Sequence, residues 1–516
     1  MAVSLNIRRE QSIVASGAFL EREGFSQLSV EELQVVGKKF IAGWACPIQI
    51  ERAARRLIVQ FSENYPGEIP EFFIDPFEDL IFKIPHLDSD GKICVLPDYA
   101  LTDQGRPADV MEHLLGNARK IIFEPELSDF TDEFDHYWVL AKNFCTDQLH
   151  LLDLPSNYGS EALAYRIGNK VFVGKDKEIL GDWITRYSGN RFQSSQICPA
   201  LVCSLNNAIQ PANFPKTVTD IQSLVYDDSV ARQRLEEHLS VSSKLLFLIL
   251  IQQTNDGEIF GGVAIHPIKL AFDNSITHGF RPGKIPASIA SKRGSSILAS
   301  KTVNLLKVQR VDHQWIHTRG GDGVSLLGKR VTIVGAGSLG GYVTHLIARS
   351  GVSHIEIIDP DVLSWDNVGR HVLGGQDVGS NKAVALRKRL ACELPHLKIN
   401  SHACDWRTAY RETPAIFLES DLIISTVANW GVEHDLNYLS RQIGNCPPVI
   451  FAWIEPYAVA GHSIAVLPVG GCFACGMNSM GAFLNPIATF PKVTTRPQPG
   501  GCSVFQQYGP TSMMPI

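Results

Sequence analysis

The chain has 516 residues, 45% of them apolar and 19% charged, with a formal net charge of -6. At roughly 150 residues per domain that length suggests about three domains. The acidic balance gives no reason to expect a nucleic-acid partner, and no run approaches the roughly 20 apolar residues of a membrane span.

The opening "MAVSLNIRREQSIV" lacks the apolar centre of a secretory leader, so a cytoplasmic setting is expected. Residues 1–150 read as a first, α+β domain. "VEELQVVGKKFIAGW" has helical spacing. "RRLIVQFSENYP" and "EFFIDPFEDLIFKIP" are apolar, aromatic and punctuated by proline, and predict strands with turns. "PHLDSDGKICVLPDY" then places a single cysteine, Cys94, where a polar turn opens into a short apolar run. "PADVMEHLLGNARKIIF" predicts an amphipathic helix.

Residues 151–320 hold no catalytic constellation and read as a middle linker domain. "LAYRIGNKVFVG" predicts a hairpin turning at Gly-Asn, and "KLLFLILIQQTNDGEIFGGVAIHP" predicts two strands around Asn-Asp-Gly. "RPGKIPASIASKRGSSILAS" is rich in Gly, Pro and Ser and predicts a loop. Residues 321–516 read as a Rossmann-like α/β domain, doubly wound. There "KRVTIVGAGSLGGYVTHLIARSGVSHIEIIDPDV" predicts strand, Gly-rich turn, helix and strand, and "DLIISTVANWG" and "PVIFAWIEPYAVAG" supply further strands.

Within that domain Gly335, Gly337 and Gly340 form a GxGxxG turn before a helix. Such glycines let backbone approach phosphate closely, and the helix start offers free N–H groups. Asp359 ends the next strand, where a carboxylate can bond ribose hydroxyls. Hydride transfer would need nothing more. This chain continues with Asp361, Asn367, Arg370 and Lys382, and "GSNK" predicts another helix. Attack of a carboxylate on an α-phosphate uses such cations, because they offset charge developing on phosphorus and on departing pyrophosphate.

"GAGSLGG…IDPDVLSWDNVGRHVLGGQDVGSNKA" resembles the ThiF/MoeB and ubiquitin-activating adenylation family. The resemblance implies an enzyme that uses ATP and Mg²⁺ to adenylate a protein's C-terminal glycine, with Asp359 on the ribose and Asn367, Arg370 and Lys382 facing the phosphates. That family carries a metal-binding Asp in the stretch matched by "DLIISTVANW", where this chain is aligned with Ser425, so the magnesium ligand is left open. Related domains also pair as homodimers. They continue past the point matched by "SVFQQYGPTSMMPI", so a C-terminal end beyond residue 516 is expected.

There are eleven cysteines. In a reducing compartment they serve as thiols, metal ligands or nucleophiles. Cys46, Cys145, Cys198, Cys203, Cys392, Cys404 and Cys446 read as small core residues. Cys472 and Cys475 form a C-x-x-C pair, but a structural zinc wants four ligands and only Cys502 follows, so zinc binding is left open. Cys502 sits in the Gly/Pro loop "RPQPGGCSVFQQYGP". It resembles the loop cysteine with which ubiquitin-activating enzymes capture the acyl-adenylate. "FSENYPGEIPEFFI…IPHLDSDGKICVL" resembles the ubiquitin-conjugating fold, with Cys94 at the acceptor position. The family's oxyanion-supporting Asn is matched by His86. The resemblance implies a relay in which Cys94 receives an acyl group from Cys502.

A conjugating block ahead of an activating block is similar to the fused bacterial enzymes of CBASS antiphage operons. There the carboxyl end of a cGAS-like nucleotidyltransferase is attached to target amines. The rival readings are a sulfur-carrier adenylyltransferase with an appended binding domain, in which Cys94 is idle, and a scaffold with a degenerate nucleotide fold.

Overall fold

The computed structural model describes residues 2–29, 31–33, 40–96, 102–126, 129–153, 161–189, 192–206, 209–241, 244–254, 257–267, 278–281, 284–317, 325–444, 446–455, 460–486, 495–497 and 504–506. By their contacts they fall into two compact units. One comprises Met1–Leu149, Pro155–Val171 and Cys198–Val308; the other comprises His150–Leu154, Phe172–Ile197 and Gln309–Ile516.

The first unit opens on a helix, α1 (Ala2–Arg22), which packs against a second, α2 (Pro107–Phe123). An antiparallel meander runs between them: β1 (Ser26–Gln27), β2 (Phe40–Ile50), β3 (Ala53–Ser62), β4 (Glu71–Asp75) and β5 (Lys92–Ile93), in that spatial order. Pro107 starts α2, where its missing N–H costs nothing. Met111, Leu114, Leu115, Ala118 and Ile122 recur at helical spacing and are buried. They meet Trp44, Leu57, Val59, Phe61 and Phe72 from the sheet in one core. The helix expected in "VEELQVVGKKFIAGW" is not formed at its end, because residues 40–44 belong to β2. Ala42 and Trp44 face the core, Phe40 packs with Leu33 and Phe73 across an irregularity in the strand, and pairing with β3 overrides their helical spacing. The helix of the region is α1, unread in the sequence. It lies so close to the sheet that a Cβ on Gly17 would meet Trp44 at 2.3 Å.

The described residues of the expected linker stretch form strands and helices that share a core with residues of the first sequence block. The Gly-Asn hairpin forms between β7 (Glu161–Ile167) and β8 (Lys170–Gly174). The second hairpin, β10 (Leu246–Thr254) and β11 (Gly257–Ile265), pairs in register from Leu246–Ile265 to Thr254–Gly257. With β6 (Phe144–Leu151), β9 (Ile197–Leu205) and β12 (Asn304–Arg310) they close a barrel in the order β10-β11-β12-β6-β8-β7-β9. Residues of the first sequence block build part of its packing. Trp138 donates Nε1–H to the Leu306 carbonyl at 2.9 Å, and its ring meets Phe214 edge-on. A division at residue 150 would cut through this core. The loop expected over 281–300 contains a helix, Ala287–Ala299. Its prolines all precede that helix, and the Ala, Ser, Ile, Lys and Arg that follow are compatible with helix despite Gly294.

The second unit contains the predicted α/β sheet, in the order β15-β14-β13-β16-β17-β18. Its strands are β13 (Arg330–Val334), β14 (His354–Ile358), β15 (Lys398–His402), β16 (Leu422–Ser425), β17 (Val449–Ile454) and β18 (Gly461–Val466). The first five pair in parallel and β18 closes the edge antiparallel. Val331, Ile333, Ile355, Ile357, Ile423 and Ile424 are buried, as sheet strands covered by helices require. From β13 the chain goes first to β14 on one side and later to β16 on the other. Open α/β sheets bind ligands at the crevice such a switch point leaves.

Gly91 gives this fold a sharp test. It sits at φ +84°, and an added Cβ would meet Phe77 Cδ1 at 2.6 Å and the Ile74 carbonyl at 2.9 Å. Gly91→Ala should destabilise the meander by about 1–3 kcal/mol, read as an earlier denaturant midpoint for the first unit. An unchanged midpoint would show the turn to be free to relax.

Candidate active site

Residues from the ends of β13, β14 and β17 and from the loop after β16 line a cleft of about 370 Å³ at the switch point. Gly335 turns the chain at φ +95°. A Cβ on Gly340 would lie 2.0 Å from the Gly335 carbonyl oxygen and 2.4 Å from Thr426 Oγ1, so glycine is what lets the helix Ser338–Arg349 start against the turn. Gly337 differs. A Cβ there would meet nothing within 4 Å, and it caps the helix without a side-chain partner. Its surroundings lie open to the cleft, beside the unsatisfied N–H groups of a helix start.

Asp359 is 5% exposed and ties the turn down. One carboxylate oxygen accepts the Ala336 N–H at 2.6 Å and the other accepts the Asp361 N–H at 2.7 Å. Burial pushes its carboxyl up from the ordinary value, while these bonds oppose the shift. His371, also buried, donates Nε2–H to the Ala336 carbonyl at 2.6 Å and accepts the Leu373 N–H at Nδ1. Burial lowers its basicity, so it stays neutral. Neither His371 nor the lining residues Asp405, Trp406 and Trp453 were singled out from sequence. Asp405 and Trp406 stand at the start of a short helix and Trp453 on β17, far in sequence from the glycine turn that marked the site.

The predicted helix after "GSN" runs Lys382–Glu393. Asn381 caps it by accepting the Val384 N–H, and its side-chain amide reaches the carbonyls of Asp359 and Asp361. Lys382 is thereby carried to the cleft, with its ammonium 2.9 Å from Asp361 Oδ2. Arg370 lines the same cleft and donates to the Asp366 carbonyl at 2.8 Å. Asn367 lines it too, but its side-chain oxygen caps the short helix Trp365–Val368 through Ser364. The structure thus gathers Gly335, Gly337, Asp359, Asp361, Asn367, Arg370 and Lys382 at one cleft, with Gly340 packed behind the turn.

Ser425 points away from it. It is fully buried, and its hydroxyl donates to Glu433 Oε1 at 3.1 Å. The same oxygen accepts the N–H of Ala428, a cleft-lining residue at φ +54°. Desolvation raises the Glu433 carboxyl to about 7. The thiols of Cys472 and Cys475 lie 3.4 Å apart. Among the described residues no cluster of three or more metal-ligating side chains forms, so two thiols alone do not fit a structural zinc site.

In the first unit, Cys94 is exposed. Its N–H donates to the His86 carbonyl at 2.8 Å, and its thiol lies 3.3 Å from the Leu96 carbonyl. His86 sits at φ +61° with Nδ1 2.7 Å from Glu133 Oε1. Glu133 was not foreseen, because it lies 47 residues on in sequence. Cys502 falls outside the described residues.

Glycine turn, switch point and carboxylate together define a Rossmann-type nucleotide cleft. Comparison with known proteins agrees: residues 316–514 match the ThiF family, and this segment is a ThiF-type domain. The chain is 28% identical over 176 residues to the ATP-dependent ubiquitin transferase-like protein Cap2 of Pseudomonas aeruginosa, covering 33% of this chain and 31% of that protein. It is 31% identical over 135 residues to Cap2 of Enterobacter hormaechei, covering 26% and 22%. It is 32% identical over 135 residues to the probable adenylyltransferase/sulfurtransferase MoeZ of Mycobacterium tuberculosis, covering 26% and 33%. The chain thus spans about a third or less of the length of these relatives.

Two variants separate the glycines. Gly337→Ala should fold normally and weaken ATP binding by about tenfold or more through crowding of phosphate. Gly340→Ala should instead lower stability as well, because its Cβ meets backbone. Calorimetric titration with ATP beside thermal unfolding distinguishes them.

Glu433 gives a signed pH prediction. Its carboxyl ionises near 4.5 ordinarily and near 7 in the fold. Its contribution is therefore fully present below about pH 4.5 and is lost by about pH 7, because the unfolded chain releases the proton first. The span amounts to at most about 3 kcal/mol. Glu433→Gln should gain stability relative to wild type between pH 5 and pH 7.5 in denaturant titrations. A constant difference would mean that Glu433 titrates normally.

Proposed function

We propose that the chain is an ATP-dependent protein-conjugating enzyme of the ubiquitin-transfer type. It activates a protein's C-terminal glycine at the ThiF-type cleft and passes it through thioesters on Cys502 and then Cys94 to a target amine. The observation that carries the reading is the convergence of Arg370 and Lys382 on a cleft that already holds a glycine turn and Asp359.

The residues present fit ATP. The open backbone at Gly337 and the helix start suit its phosphates, and Asp359 retains lone pairs for ribose hydroxyls. A magnesium ion would screen the phosphates, and the cleft-lining carboxylates of Asp361 and Asp405 are the groups that would hold it. The substrate carboxylate attacks the α-phosphorus as the bond to pyrophosphate breaks. Arg370 and Lys382 offset the charge that develops. Lys382 is paired with Asp361 at rest, and phosphate would compete for the same ammonium. A thiolate then attacks the activated carbonyl and AMP departs; thioester exchange and attack by an amine follow. The similarity to Cap2 proteins favours this reading, which takes a cGAS-like nucleotidyltransferase as the donated protein, in antiphage defence. The reading also includes a homodimer in the cytoplasm. None of the described helices is long and apolar enough to cross a membrane. The similarity to MoeZ favours a second reading, sulfur-carrier adenylation, in which Cys94 takes no acyl group.

Pyrophosphate exchange should require ATP, divalent metal and the carboxylate partner, and Arg370→Ala or Lys382→Ala should lower it ~10²-fold or more. Exchange should survive loss of either thiol. Cys502→Ala should abolish both thioesters, and Cys94→Ala should leave the Cys502 thioester but no amide. Wild-type charging of Cys94 in the Cys502→Ala protein would refute the relay. Amide formation by Cys94→Ala would favour the sulfur-carrier reading.

A further inference from the structure

We infer that Glu133 is a positioning residue that fixes His86 as a general base for acyl transfer from Cys94 to an amine. The inference rests on the reading of Cys94 as an acyl acceptor.

The geometry comes from a short hairpin. Leu87 bridges Ile93 antiparallel, Asp88 N–H donates to the Lys92 carbonyl, and Cys94 N–H donates to the His86 carbonyl. Leu87 and Ile93 are buried. The next positions out, His86 and Cys94, are opposed to each other, and both reach solvent. Opposed residues in such a ladder have Cβ atoms about 4.5–5.5 Å apart when regular. His86 departs from regularity. A non-glycine residue in the left-handed region costs of order 1–3 kcal/mol and persists where surrounding structure imposes it. Here the restraint is visible: Glu133, from the turn before the helix Phe134–Leu140, holds Nδ1 at 2.7 Å. The two side chains are only 26% and 29% exposed.

A carboxylate accepts but does not donate, so Nδ1 carries the proton. Nε2 of the neutral ring then has a lone pair. In that state it removes a proton and does not donate one to an oxyanion, the role the family resemblance implied. When an amine attacks the thioester carbon, a C–N bond forms and the C–S bond breaks. Nε2 takes the proton shed by the amine and returns it to the departing Cys94 thiolate. The imidazolium formed in between is stabilised by Glu133. Other titratable groups stand nearby: Asp88, with His136 Nε2 3.8 Å from its carboxylate, and Tyr137, whose phenol burial pushes up so that it stays neutral.

The test uses the full-length protein charged with benzoylglycine thiophenyl ester, a small thioester that needs no ATP, and mass spectrometry to locate the acyl group. Discharge is followed in single turnover with free lysine and with hydroxylamine, which is unprotonated near neutral pH and needs little help from a base. Glu133→Ala should slow discharge to lysine ~10²-fold and leave hydroxylamine within about twofold of wild type. Glu133→Gln, which keeps an acceptor oxygen for Nδ1–H but no charge to offset the imidazolium, should recover part of the lysine rate lost in Glu133→Ala. Equal slowing with both amines in Glu133→Ala would make Glu133 merely structural and overturn the inference, as would an unchanged lysine rate. Failure of wild-type Cys94 to accept any acyl group would overturn the acceptor reading beneath it, a result visible before any Glu133 variant is made.

Discussion

The buried carboxylate of Asp359 is the clasp on which the nucleotide cleft depends. It holds one N–H of the glycine turn and one N–H of its own loop, so the turn after β13 and the loop after β14 become a single rigid edge. Asn381 fastens the helix of Lys382 to that edge through the Asp359 and Asp361 carbonyls. His371 fixes the turn through the Ala336 carbonyl. A buried carboxylate is costly unless its lone pairs are used. Here backbone donors use them, and ribose hydroxyls would add to them.

That edge explains why the second unit was legible in sequence. Its chemistry is local. Glycines, Asp359, Arg370 and Lys382 lie within one βαβ stretch and its continuation, so spacing along the chain becomes proximity in space. What sequence did not reveal there depends on contacts across the sheet. Ser425 was aligned with a metal ligand, yet the structure turns it into the core against Glu433. The residues of this loop that line the cleft are Thr426, Val427 and Ala428, none of which offers a carboxylate.

The first unit was harder to read for the opposite reason. Its candidate chemistry is assembled from distant segments. The hairpin at Cys94 was visible as a polar turn, but its partner Glu133 belongs to a different element. The strand β2 was mistaken at its start for helix, because short apolar runs fit either period until a neighbouring strand selects one. The helix α1 was overlooked because its apolar positions are interrupted by charge. The barrel escaped reading because closure is a property of seven strands together, although both of its hairpin turns were marked by their residues.

The two units contribute different chemistry to the proposed reaction. In that reading the cleft would stabilise negative charge on phosphorus with Arg370, Lys382 and a helix start. The hairpin would manage protons at an acyl carbon with one oriented imidazole. The most direct test of the account is a crystal structure of the full chain with a non-hydrolysable ATP analogue and magnesium. The account predicts phosphates over Gly337 at the start of the Ser338–Arg349 helix, ribose on Asp359, and Lys382 turned from Asp361 to phosphate. A nucleotide bound elsewhere, or one whose ribose avoids Asp359, would contradict it.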